Sequence, residues 1–429
     1  MNRGRVALPG EQPAAFREQR QFVDWDGIAA AFILLVAASN VGGWVQDLPV
    51  ERFLVRALWW LLYLGAFLRL VQRFGAGWLA WMMRHQAILC LLLAWAVLSA
   101  FWSLAPLETL QKSMSLVGTT ILGVYIGYTL SPALVSRVLR CVFAAIIVSG
   151  LVAPALLADA IVADPKTGDW QGLMVDKNSF GAMAAIASLC FTAVAFRRGA
   201  GQIGGTVICG ACLLALLLSG SRTALVACVI GVSTLAWFAA VKRTRSSPRA
   251  ALFLLLLLFG TAAAAATYAR EPITGMIRKG AGLNGRTDLW AGAVQIIRER
   301  PLTGYGYHAV WGRKENTLLP HIPITAQPSA GSAHNAVLNT ATELGVPAAV
   351  LLLAYGIITL LDAVRFYEHR ATSFSLFVIA FLLATATVSI TEANMLGIHW
   401  VFWILFVAIA IMLKRSGRND AALPPAQAP

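Results

Sequence analysis

Arg222, Arg286 and His334 stand in surroundings that suit chemistry. Arg222 lies in LSGSRTAL (Leu218–Leu225), where two apolar runs meet with almost no loop. An arginine held beside hydrocarbon is costly and is usually paired or functional. The plainer reading is an arginine that snorkels to an interface. Ser219, Gly220, Ser221 and Thr223 are small, so a ligand could approach the backbone, and hydroxyls such as that of Ser221 can bond phosphate oxygens. Arg286 lies in GLNGRTDLW (Gly282–Trp290), after the turn signal Asn284–Gly285. A helix predicted from near Thr287 would put Arg286 at its N-terminus, a favourable anion site. A capped surface helix with an incidental arginine is the alternative. His334 opens SAHNAVLNTATELG (Ser332–Gly345) beside Asn335. A histidine there could orient or deprotonate a hydroxyl near neutral pH, or could pair with Asn335 merely to cap a helix.

Weaker clusters accompany these three. In MVDKNSFG (Met174–Gly181), Lys177 and Asn178 could help hold an anion, although a lysine where a helix starts is unremarkable. In ITEANMLG (Ile390–Gly397), Glu392 either pairs with an arginine or is a solvated loop acid. RPLTGYGYHAVWG (Arg300–Gly312) offers Tyr305, Tyr307 and Trp311 as flat faces on which sugars stack, but aromatics are also common at membrane interfaces. Gly304 and Gly306 make only part of a phosphate-binding glycine loop, with no strand before them. His308, His321 and His334 lack metal-ligand spacing. The CxxC of Cys209 and Cys212 lies inside an apolar run without further ligands, so neither a structural disulfide nor a zinc site is expected.

The elements that must position these residues are membrane helices. Of 429 residues, 58% are apolar and 13% charged, and the mean hydropathy is +0.70. A soluble domain is about 25% charged. That excludes an ordinary soluble enzyme, a disordered chain and a disulfide scaffold. Twelve runs approach the length of about 20 residues that a span needs: 27–45, 53–71, 86–102, 113–130, 135–157, 178–196, 203–218, 223–241, 250–269, 346–364, 373–390 and 398–413. With the N-terminus inside, the inner segments hold 20 Lys and Arg and the short outer loops hold five. This asymmetry is the positive-inside pattern, so the net charge of +14 reads as topology rather than as nucleic-acid binding. The expected organisation is a cytoplasmic tail (1–26), nine spans (27–269), a large periplasmic loop (270–345), three spans (346–413) and a second cytoplasmic tail (414–429). Thr287–Arg300 has apolar residues at helical spacing, so the large loop reads as a small helical cap. All the clusters above fall on the outer face. Arginines, a lysine, a histidine and aromatics gathered there suit a ligand with a greasy tail, a diphosphate and a sugar.

In order along the chain, FWSLAPLETL (Phe101–Leu110), DKNSFG, LSGSRTAL, GRTDLWAGAV, RPLTGYGYHAVW, HNAVLNTATELG and TEANMLG resemble the O-antigen ligase and Wzy-like polysaccharide polymerase superfamily. Their particular forms look most like its exopolysaccharide-production (ExoQ-type) branch. The resemblance implies an all-α integral membrane protein of about 12 transmembrane helices with a helical periplasmic loop. It also implies a GT-C-like, metal-independent glycosyltransferase in the bacterial inner membrane, without a cofactor. The donor would be a glycan on undecaprenyl diphosphate, and the acceptor a saccharide or lipid A–core. Arg222 and Arg286 match the diphosphate-binding arginines and His334 the loop histidine. One departure is Asp176, where many relatives carry a histidine before the lysine. The leading expectation is a polymerase that joins lipid-linked repeat units. Its rivals are a ligase that moves finished glycan to lipid A–core and, in another class, a transporter or flippase for lipid-linked sugars.

Overall fold

The computed structural model describes residues 24–39, 49–156, 168–174, 176–195, 202–244, 247–268, 286–311 and 331–416. Most of both tails, the Asn284–Gly285 turn, His321 and much of the large loop lie outside these residues. Fourteen α-helices and no strand occur among the described residues. They are α1 (Trp25–Ala38), α2 (Pro49–Phe74), α3 (Gly77–His85), α4 (Ala87–Leu98), α5 (Pro106–Thr129), α6 (Pro132–Leu156) and α7 (Lys177–Ala195). Then follow α8 (Gln202–Leu218), α9 (Arg222–Thr244), α10 (Pro248–Tyr268), α11 (Arg286–Glu299), α12 (Ala336–His369), α13 (Ser373–Ser389) and α14 (Val401–Ser416).

Each of the twelve apolar runs carries a helix. Five helices (α2, α6, α7, α9 and α12) are long and apolar enough to cross a membrane, and α3 with α4 forms a sixth candidate, bent by 97°. α1, α8, α10 and α13 are apolar but shorter. α5 has the length, but its first half carries Glu108, Gln111, Lys112, Ser113 and Ser115. The bend falls at Gln86, whose amide Nε2 donates to the Ala410 carbonyl and whose Oε1 accepts from the Tyr355 hydroxyl.

Helices apolar on all sides sit at the centre, and those with one apolar stripe free lie around them. α7, α13 and α14 are buried along nearly their whole length. α2 exposes Phe53, Leu54, Trp60, Leu61, Leu64 and Phe67, and α12 exposes Val350, Leu353, Ile357 and Leu361. Apolar faces of that extent are what hydrocarbon covers, and the protein is a multi-pass membrane protein.

Close backbone approach organises the centre. α5 lies against α14 at Gly127, where a Cβ would run into the Ala408 carbonyl oxygen. Small residues at such crossings let membrane helices pack by van der Waals contact. One layer nearer the site, Thr120 Oγ1 accepts from Trp403 Nε1 at 3.0 Å. Ion pairs fasten the other end of the bundle. Asp26 accepts from Arg69 at 3.0 Å, Arg73 at 2.5 Å and the Tyr125 hydroxyl at 2.8 Å, which clasps α1, α2 and α5. Asp362 holds Lys414 at 2.7 Å, and Glu368 holds Arg249 at 2.8 Å.

Candidate functional site

At the end of the bundle away from Asp26, the starts of α7, α9 and α12 meet the end of α13. Asn335 makes the central join. As the N-cap of α12 its Oδ1 accepts from Val337 N at 3.0 Å and Leu338 N at 2.9 Å. Its Nδ2 donates to the Ile390 carbonyl at 3.0 Å, stapling α12 to the end of α13. The cap before it and the turn after α13 are thereby opposed, so His334 faces Glu392.

Glu392 touches two of the predicted residues. Its Oε1 accepts from Arg286 Nη2 at 2.6 Å, and its Oε2 lies 3.0 Å from His334 Nδ1. All three side chains are partly buried, so the charge-assisted bonds are only partly screened. Backbone geometry fixes the arrangement: Glu392 N donates to Val388 O at 2.9 Å, and His334 adopts φ 46° with its N–H on Ser332 Oγ. Arg286 is the first residue of α11. Arg222 is the first residue of α9, with an exposed side chain and no acceptor among the described residues. Thr391 Oγ1 donates to its neighbour Thr223 at 2.9 Å, which brings the start of α9 beside the Glu392 turn.

A cavity of about 460 Å³ opens here, lined by His334, Glu392, Asn178, Tyr307, His308 and Glu343 among others. Lys177, Ser221 and Tyr305 turn elsewhere. Lys177 pairs with Asp169 at 2.6 Å. Asp176 caps α7 by accepting from Asn178 N and Ser179 N. Ser221 is buried, and its Oγ accepts from Ala224 N at the start of α9. Tyr305 belongs to a small apolar cluster with Leu289, Ile296 and Trp311. Its hydroxyl donates to Glu299 at 2.6 Å, with Arg300 stacked 4.7 Å from its ring centroid. Burial and then that carboxylate push the Tyr305 phenol up to about 12.

Among the cavity residues, Asn339 and Glu343 escape sequence reasoning, and His308, weighed there only as a metal ligand, lines the cavity too. Gly304, at φ 62°, lays the preceding loop directly on α12, where a Cβ would meet the Glu343 carbonyl oxygen at 2.5 Å. The Glu343 carboxylate accepts from the His308 backbone N–H and the Asn339 amide, and Asn339 Oδ1 accepts from Ala333 N at 3.0 Å. The available signal is polar residues at steps of four (Asn335, Asn339, Glu343) at the start of an otherwise apolar helix.

Beside the polar cavity runs an apolar groove of about 270 Å³ between α12 and α13, walled by Leu352, Leu353, Ile357, Leu382 and Leu383. Met395 lines both spaces. The arrangement sets an imidazole and a carboxylate bound to a guanidinium at the polar cavity, with an apolar groove alongside.

Residues 206–353 match the Wzy_C family, described as O-antigen ligase. The match includes Arg222, Arg286 and His334. The chain is also similar to the exopolysaccharide production protein ExoQ of Rhizobium meliloti (strain 1021), at 26% identity over 267 residues. That alignment covers 60% of this chain and 60% of ExoQ, less than two thirds of the relative's length.

Proposed function

Proceeding from an O-antigen-ligase-type match, we propose that the protein is a glycosyltransferase of the GT-C kind. On this reading it polymerises undecaprenyl-diphosphate-linked repeat units into an exopolysaccharide. The observation that carries it is the Arg286–Glu392–His334 linkage at a polar cavity whose wall, at Met395, is shared with an apolar groove. A lipid-linked sugar phosphate has the matching parts: a long apolar tail, a double negative charge and hydroxyls.

In the proposed step an acceptor hydroxyl oxygen bonds to the anomeric carbon of the donor sugar. The bond from that carbon to the diphosphate oxygen breaks, and its electron pair leaves on the lipid diphosphate. The hydroxyl proton passes to His334 Nε2. Arg286 and Arg222 offset the charge that grows on the leaving group, which is electrostatic stabilisation of the transition state. No metal enters this scheme. Asn178 at the start of α7 guides the anion from the cavity wall, and Lys177, through its pair with Asp169, shapes the loops around it together with Tyr305, Ser221 and Asn335. The proposed topology is twelve spans in the inner membrane, with both termini cytoplasmic and the site periplasmic.

Purified protein given lipid-linked repeats tests the reading. Chain growth without lipid A–core supports polymerisation. Transfer only when core is added supports the ligase reading, which the family description favours. Movement of the lipid-linked sugar across vesicles without new glycosidic bonds would point to a transporter. Transporter sites instead lie near the midplane, whereas the unusual residues here gather at one end.

A further inference from the structure

Glu392 binds Arg286 and His334 at once, and the proposed reaction asks opposite things of those two. Arg286 must give its charge to a diphosphate. His334 must accept a proton. Through Oε1 the carboxylate already neutralises Arg286 Nη2 at 2.6 Å, and through Oε2 it meets His334 Nδ1 at 3.0 Å. An imidazole that donates Nδ1–H to a carboxylate presents Nε2 as its proton acceptor. A carboxylate shared with a guanidinium supports that role less than one whose charge is free.

Resting on the glycosyltransferase reading, we propose that Glu392 is a positioning residue that exchanges partners during turnover. The donor diphosphate takes Arg286 from it. The carboxylate, no longer neutralised, then holds His334 in the Nδ1–H tautomer and raises the basicity of Nε2. The base is thus strengthened where a donor is bound. The three groups come from separate elements: Arg286 from α11, His334 from the residue before the cap of α12, and Glu392 from the turn after α13. Other titratable groups face the same space, namely Asp176 before α7, His308 on the preceding loop and Glu343 on α12, and Arg222 starts α9 next to Thr223, which bonds the Glu392 turn. Asp176 is occupied by the α7 backbone, and Glu343 by Asn339 and the His308 N–H. Neither carboxylate is bonded to Arg286 or His334. In the step itself the acceptor O–H bond breaks, its oxygen joins the anomeric carbon, the diphosphate leaves with the old bonding pair, and His334 Nε2 holds the proton.

The test compares wild type, Glu392→Gln, His334→Ala and Glu392→Gln in a His334→Ala background. Each is titrated with undecaprenyl diphosphate, and the first two are assayed for transfer from an undecaprenyl-diphosphate-linked oligosaccharide between about pH 5 and 9. Removing the competing carboxylate should tighten undecaprenyl diphosphate binding by about tenfold, within the usual range of coupling between sites. The same tightening should appear in the His334→Ala background, because it runs through Arg286. Turnover of Glu392→Gln should fall about 100-fold, the scale of general-base catalysis, and its acid limb should move to lower pH. Weaker binding together with lost turnover, or an unmoved acid limb, overturns the exchange and leaves Glu392 a structural residue. A wild type that neither binds the probe nor transfers sugar overturns the glycosyltransferase reading itself.

Discussion

His308, His334 and His399 all hold left-handed backbone, at φ 60°, 46° and 59°. That conformation is uncommon outside glycine, and strained positions of this kind cluster at functional sites. One of the three is held neutral. Burial, with the nearby Lys112 ammonium adding to it, pushes His308 down to about 4. His399 is stacked 4.1 Å from Trp59. The folded value of His308 lies below the unfolded value near 6.5, so the unfolded chain binds the extra proton. Stability is therefore full above about pH 6.5 and is lost as pH falls from there towards 4. Thermal unfolding in detergent should show this loss, and His308→Gln should reduce its slope. Arg286→Ala should lower transfer by about 100- to 1,000-fold, the scale of one lost transition-state donor, with Arg286→Lys restoring only part of it. Arg286, His334 and Glu392 were legible because charged side chains beside apolar runs stand out. Ser221, Asn335 and Tyr305 are polar beside the same runs, yet their polar atoms go to helix ends and to Glu299. A hydroxyl or amide beside a helix start reads identically whether it serves a ligand or a backbone N–H. Glu343 and His308 were not legible, because the fold of a loop onto α12 brings them together.

At the scale of elements, hydrophobic runs placed the helices well, since each of the twelve coincides with one. The 97° bend between α3 and α4 was hidden, because Gln86 is held by Ala410 and Tyr355, distant in sequence. The contact of α5 with α14 was equally hidden, since Gly127 looks like any other glycine in a span. A larger side chain there must push α14 aside. Gly127→Val should destabilise the protein by about 1–3 kcal/mol, the usual cost of overpacking. Glycines with open space beside them, such as Gly356, should accept alanine with little effect. The melting temperatures of Gly127→Val and Gly356→Ala in one detergent check this.

At the scale of the molecule, charge sorts the two ends. Ion pairs at Asp26, Asp362 and Glu368 gather on one end of the bundle and the cavity lies at the other. In the proposed topology the first end is cytoplasmic. A Cys141→Ala protein with Leu302→Cys should react with a membrane-impermeant maleimide in intact spheroplasts. One with Ser416→Cys should react only after permeabilisation, and the reverse pattern would invert the topology. Met395, the residue common to the polar cavity and the apolar groove, carries a consequence for kinetics. A substrate whose tail lies in the groove while its head reacts in the cavity arrives sideways and need never dissolve in water. Encounter is then two-dimensional. The rate follows the mole fraction of donor in the bilayer, so diluting the donor with inert lipid slows the reaction even when its amount per litre is unchanged.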